Sequence, residues 1–164
     1  MNFSNKIIDI SEVTLLATNL HGAHKKIVLV GGCFDVLHVG HISFLEKAKQ
    51  AGDTLIILLE NDTRIKHLKG PQRPINVQYD RARVLAALIT VDFVVLLPEN
   101  MTDSFYDKLI LEIKPAIIAT TEQDPNRVHK ERQAKLSGSK VIDVISYIEN
   151  ASTSRIAELL KKEL

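Results

Sequence analysis

Lys26-Ile27-Val28-Leu29-Val30-Gly31-Gly32-Cys33-Phe34-Asp35-Val36-Leu37-His38-Val39-Gly40-His41 is the stretch that decides the fold of this chain. Residues 27–30 are a continuous apolar run, rich in β-branched side chains and without polar alternation. A strand of that kind is covered on both faces, as in a parallel sheet. Gly31 and Gly32 end it. The period then changes: Ile42, Leu45, Ala48 and Lys49 recur at helical spacing, with Glu46 and Lys47 on the outside. A strand therefore turns through glycines into a helix.

The same alternation continues outward. Residues 54–59 form an apolar run after the turn Ala51-Gly52-Asp53. Residues 92–97 form another, stopped by Pro98; 116–119 follow Lys114-Pro115, and 141–145 follow Ser137-Gly138-Ser139. Helical patterns lie between them. One is built on Val84, Leu85, Leu88 and Ile89, and one on Phe105, Leu109, Ile110 and Ile113. A polar one covers 128–136, and Ile156, Leu159 and Leu160 carry the last. A first helix, over residues 11–20, precedes the sheet. The pattern predicts an α/β fold: a Rossmann-like, doubly wound, five-stranded parallel sheet flanked by helices. It forms a single domain over 1–164, with 1–24 as an N-terminal helical extension and 25–164 as the core. Ligands in such sheets bind beyond the carboxyl ends of the strands.

Composition narrows the function. The chain has 164 residues, 45% hydrophobic and 25% charged, an ordinary globular balance. Lys plus Arg is 21 and Asp plus Glu is 20, giving a net charge of +1. That balance speaks against a strongly basic nucleic-acid binder. The lone Cys33 rules out an internal disulfide and a multi-cysteine zinc site. No run approaches the roughly 18 apolar residues of a membrane span, and the first ten residues lack a secretory h-region. The expectation is a cytoplasmic protein with no membrane or nucleic-acid partner.

The glycine turn carries the chemistry. Gly31 and Gly32 let backbone approach a ligand without a Cβ between them. The helix that starts near Val39 offers unpaired N–H groups and a positive dipole end. His38 and His41 are three residues apart, so at a helix start they project on one side. Two imidazoles there suit phosphate oxygens, and Gly40 keeps the space beside them free. The competing readings are a tight turn with two surface histidines, or a zinc pair. The second lacks a third ligand at a recognisable spacing, so no metal ligand is assigned.

At these residues the chain resembles the cytidylyltransferase-like branch of the nucleotidyltransferases, on Gly32-Cys33-Phe34-Asp35-Val36-Leu37-His38-Val39-Gly40-His41. Within it the pattern is most similar to heptose-1-phosphate adenylyltransferase; glycerol-3-phosphate cytidylyltransferase and archaeal FAD synthetase are relatives. The likeness runs from about Ile7 to Leu164. It includes 52–57, the loop Leu68-Lys69-Gly70-Pro71-Gln72-Arg73-Pro74-Ile75-Asn76, residues 80–95 and Ser152-Thr153-Ser154. The resemblance implies transfer of AMP from ATP to a sugar phosphate with release of pyrophosphate. It gives His38, His41 and Lys69 catalytic roles. Gly32, Cys33, Phe34, Asp35, Gly40, Ser152, Thr153 and Ser154 would meet the nucleotide. Asp62, Lys66, Arg73 and Arg81, in a basic stretch around Pro71 and Pro74, would meet the acceptor. Asp35 is equally readable as a turn stabiliser, Asp62 as a helix cap, and Ser152-Thr153-Ser154 as a cap of the last helix. Cys33 reads as a small packing residue as well. Mg2+ is implied with the nucleotide, riding on the phosphates. The implied partners are a nucleoside triphosphate, a phosphorylated small-molecule acceptor made by a separate enzyme, and a second copy of the chain as a homodimer.

Three positions depart from the pattern. The heptose enzymes carry Lys-Gly-Gly-Asp-Tyr where this chain has Thr120-Thr121-Glu122-Gln123-Asp124. Gly31 stands where an Asn is common, and Tyr147 where the glycerol-phosphate enzymes have an Arg. These keep other readings open: a CTP-dependent enzyme for a polyol or alcohol phosphate, an FAD synthetase-like enzyme, or a catalytically silent nucleotide-binding module. A class I aminoacyl-tRNA synthetase signature is a remoter alternative, since no Lys-Met-Ser-Lys-Ser element is present.

Overall fold

A computed structural model describes residues 3–146. Its strands are β1 (Ile7–Ile8), β2 (Ile27–Gly32), β3 (Thr54–Leu59), β4 (Phe93–Leu96), β5 (Ile117–Thr121) and β6 (Lys140–Ile145). They form one sheet in the order β1-β4-β3-β2-β5-β6, and each pairing is parallel. The helices are α1 (Val13–Gly22), α2 (Val39–Gln50), α3 (Asp62–Lys69), α4 (Gln78–Ala86), α5 (Asp103–Ile113) and α6 (Arg127–Ser137).

The sheet has six strands, not the five expected from the sequence. The extra one is β1, in the stretch expected to be a helical extension. Ile7 and Ile8 pair with Val94 and Val95 at the sheet edge. Lys6 Nζ pins the strand by donating to the carbonyls of Leu88 and Val91 at 3.1 and 2.7 Å.

The unbroken apolar strands are buried on both faces, as their composition requires. Every residue of β3 is buried. Val28, Val30, Leu55, Ile57 and Leu59 face one side, packed with Leu45 and Ala48 of α2 and Ala82 and Leu85 of α4. Ile27, Leu29, Ile56 and Leu58 face the other, against Leu109, Ile110 and Ile113 of α5. Each such Leu or Ile contributes about 1.5–3 kcal/mol over leaving it in water.

Two helical details differ from the sequence reading. Residues 62–69, where the sequence offers a cap at Asp62 and the start of a basic stretch but no apolar stripe, are helix α3, of which only Ile65 is buried. On α4 the buried face is Arg81, Ala82, Leu85 and Ala86. Val84 is 52% exposed, and Ile89, beyond the helix end, is 96% exposed.

The topology sets the ligand position. From β2 the chain moves outward through β3 to β4, then returns to the other side of β2 as β5. Strand order reverses between β2 and β5, and crevices at such switch points hold ligands. Among the described residues no helix is long and apolar enough to cross a membrane.

Candidate active site

A cavity of about 430 Å³ opens at that switch point. One wall is Gly31 to Phe34 with His38, Gly40, His41 and Phe44, joined by Lys69. The other is Thr120 to Pro125 with Lys130, Ile145 and Ser146.

The first wall follows from its local sequence. His38 is the extended N-cap of α2, and no side chain caps the helix. The first helical bond runs from Ile42 N to His38 O at 3.2 Å. The N–H groups ahead of Ile42 therefore have no intrahelical acceptor. The rings of His38 and His41 stack, with centroids 3.8 Å apart. Phe34 packs on His41 at 5.3 Å. Phe34 itself takes a left-handed backbone, φ 43°. Gly32 makes that packing possible, because a Cβ there would lie 2.7 Å from the Phe34 ring.

The electrostatics of this wall are set by burial. Burial, then the neighbouring His38 and Lys69, holds His41 down at about 4, with only the Val36 backbone pulling the other way. Burial and Lys69 lower His38 too. Both imidazoles are therefore neutral at pH 7. The Nδ1 of His38 is buried without a hydrogen-bond partner among the described residues. Lys69, the last residue of α3, has no carboxylate partner among them either. Burial raises the Cys33 thiol, so the thiolate is disfavoured and no nucleophilic role is indicated.

Asp35, expected to meet the nucleotide, and Asp62, Lys66, Arg73 and Arg81, expected to meet the acceptor, lie off the cavity lining. Asp35 is 4% exposed. Its carboxylate accepts from Arg73 Nε at 2.6 Å, from Ile75 N at 2.9 Å and from Asn76 N at 3.0 Å. Asn76 Nδ2 returns a bond to the Asp35 carbonyl at 3.1 Å. Asp35 thus clamps the 70–76 loop onto the glycine turn. Arg81, 1% exposed, donates to the carbonyls of Cys33, Asn76 and Glu60 and to the carboxylate of Asp62. Asp62 does not cap α3; Asn61 does, accepting from Arg64 N at 2.7 Å. Lys66 is exposed on α3. Ser152, Thr153 and Ser154 lie outside the described residues.

The Asp35 clamp has a pH signature. Burial pushes its carboxyl up, but the Asn76 and Ile75 amides and Arg73 outweigh it, and the net shift is downward. A lowered folded value means the contribution is complete above the ordinary carboxylate value of about 3.9 and is lost as pH falls through the folded one. Asp35→Asn is expected to cost about 1–3 kcal/mol at pH 7 and to flatten stability below pH 4. Urea unfolding midpoints between pH 3 and 7 check this; an unchanged acid limb would contradict it.

The second wall contains a residue that sequence reasoning missed. Lys130 Nζ donates to Thr120 Oγ1 at 3.0 Å and pairs with the carboxylate of Asp124. Thr120 also donates to Asp124, whose other oxygen accepts from Asn126 N at 2.8 Å. Hydrogen bonds from Lys130, Thr120 and Asn126 hold the Asp124 carboxyl below its ordinary value, although burial alone would raise it. The only sequence signal was the departure at 120–124, which did not point ten residues onward.

A parallel sheet whose switch point presents a glycine turn, an uncapped helix and paired imidazoles defines a phosphate-handling α/β protein. The chain belongs to the cytidylyltransferase-like family, whose model matches residues 29–159. Its curated relatives include the bifunctional protein HldE of a Nitratiruptor species, 40% identical over 156 residues, covering 94% of this chain and 32% of the relative. The HldE of Campylobacter jejuni (strain RM1221) is 40% identical over 165 residues, covering 98% and 32%. The chain thus spans about a third of the length of these relatives. A solved lipopolysaccharide core biosynthesis protein from Thermoplasma volcanium GSS1 is 28% identical with TM-score 0.60, over 78% of this chain and 99% of that one. Pantoate-beta-alanine ligase from Francisella tularensis, complexed with beta-gamma ATP and beta-alanine, shares the fold at 19% identity and TM-score 0.66, over 93% and 72%.

Proposed function

We propose that this chain is a nucleotidyltransferase, moving AMP from ATP to the phosphate of a sugar such as a heptose 1-phosphate. An oxygen of the acceptor phosphate attacks the α-phosphorus. The bond from that phosphorus to the β-bridging oxygen breaks, and pyrophosphate leaves. No protein nucleophile is needed; such transfers rest on positioning and charge stabilisation. The observation that carries this reading is the stacked His38–His41 pair at the uncapped start of α2. The 40% identity with HldE relatives supports the choice of AMP and a heptose-like acceptor.

Each residue then has a task. His38 and His41 donate N–H bonds to the oxygens of the transferring phosphate. The α2 N–H groups and Lys69 hold the triphosphate. Cys33 and Phe34 shape the turn, and Gly32 and Gly40 leave room for it. Arg81, Asp62 and Asp35 act by positioning, since they are tied to one another, to Arg73 and to backbone. Arg73 gives Nε to Asp35, while its buried Nη2 has no partner among the described residues and would be the donor left for the acceptor. Lys66, exposed on α3, would attract the acceptor phosphate. Ser152, Thr153 and Ser154 would meet the β- and γ-phosphates. Mg2+ would neutralise the leaving pyrophosphate. Among the described residues no group of three His, Cys, Asp or Glu could hold a metal, so it would ride on the phosphates. The exposed Val84 and Ile89 fit a two-fold dimer contact.

Pyrophosphate release tests the proposal, across four nucleoside triphosphates and the phosphates of heptose, glycerol, ribitol and flavin. Release is expected with ATP and heptose 1-phosphate together, and with neither alone. Release only with CTP and a polyol phosphate would transfer the reading to a cytidylyltransferase. No release with any pair, from folded protein that binds a triphosphate, would leave a silent binding module.

A further inference from the structure

We infer that Lys130 is a specificity residue that contacts the nucleoside of the bound triphosphate, with Asp124 and Thr120 holding it in place. This rests on the proposed nucleotide site. The two lysines of the cavity differ in kind. Lys69 stands beside the imidazoles with no carboxylate partner among the described residues. Lys130 is paired with Asp124, and both side chains are well buried, 16% and 12% exposed. A cation already neutralised is a poor clamp for a polyphosphate. Its ammonium still has a third N–H beyond those given to Thr120 and Asp124. Such a donor, facing a cavity, suits a neutral polar ligand atom.

The surroundings agree. The Lys130 wall sets hydroxyl and apolar surface, from Thr120, Pro125, Ile145 and Ser146, beside the carboxylates of Glu122 and Asp124, which would repel a polyphosphate. That lining fits an uncharged base and ribose. The exposed Lys66 and Lys69 sit on α3, which follows β3 on the other side of β2, where charged phosphate would enter. The α-phosphorus at His38 and His41 lies between the two. Lys130 reaches this wall from α6, with Nζ 3.0 Å from the Thr120 hydroxyl.

Calorimetry on the full chain with ATP, CTP and inorganic tripolyphosphate separates the roles. Lys130→Met is expected to weaken ATP binding about tenfold, the loss of one charge-assisted hydrogen bond. Tripolyphosphate binding is expected to stay unchanged, and the ratio of ATP to CTP affinity to shift. Lys130→Arg keeps the charge that pairs with Asp124, so it gives a second test if the methionine variant does not fold. It is expected to alter the same ratio, because a planar fork cannot take the place of a point donor. Equal weakening of ATP and tripolyphosphate would make Lys130 a phosphate ligand or a structural tie and overturn the inference. So would unchanged ATP affinity and an unchanged ratio in both variants. Wild-type protein that binds no triphosphate would instead overturn the nucleotide site itself, and the inference with it.

Discussion

His41→Ala is expected to lower kcat by about 10²–10³-fold, the usual cost of one preorganised donor to developing phosphate charge. The geometry gives the reason. His41 sits one turn inside an uncapped helix, between the His38 and Phe34 rings. Packing on both sides fixes the imidazole before substrate arrives, so little reorganisation remains for the transition state. His38→Ala should cost a similar factor. The double variant should fall well short of the product, because the two rings act as a unit. The pH titration is a second readout. Burial holds His41 at about 4 and lowers His38, so the empty site carries neutral imidazoles at pH 7. Ring-proton NMR of the ligand-free protein, which avoids the substrates' own phosphate ionisations at about pH 6, should show both imidazoles titrating below the ordinary 6.5. An ordinary value for either ring, or an alanine variant within threefold of wild type, would contradict this role.

Arg81→Met is expected to cost about 3–5 kcal/mol of stability, the cost of breaking a buried, hydrogen-bonded charge. Arg81 is 1% exposed and joins the glycine turn at Cys33, the end of β3 at Glu60, the 70–76 loop at Asn76, and Asp62 on α3. Its removal leaves those carbonyls and one carboxylate without their donor. Arg81→Lys should recover little, because a point ammonium cannot reach four acceptors placed for a planar fork. Urea unfolding decides between positioning and substrate contact. A lysine variant that keeps wild-type stability and raises only the acceptor KM would show that Arg81 touches the acceptor after all.

The contrast between these residues shows what was readable in advance. β2 and β3 were evident because both faces are buried and their runs are unbroken. β1 was not, since two residues display no period. α3 lacked an apolar stripe, with Ile65 its only buried side chain. α4 misled for a specific reason. An arginine occupies its buried face, while Val84 points outward. In the site, the His38–His41 pair is local, so spacing alone placed it on one helix start. Arg81 and Lys130 depend on partners brought together by the sheet. Arg81 reaches Cys33, 48 residues away, and Lys130 reaches Thr120, ten away across a strand end. Nothing in a run of charged residues distinguishes a buried tie from a solvated side chain.

The central claim is that the α-phosphorus moves to a phosphorylated acceptor. Incubation with ATP labelled at the α- or the γ-phosphorus, with heptose 1-phosphate and Mg2+, reads this directly. The account requires α-label in a nucleoside diphosphate sugar and γ-label in pyrophosphate, in equal amounts and only with both substrates present. Label from γ appearing on the sugar or as free phosphate, with α-label remaining in ADP, would contradict it.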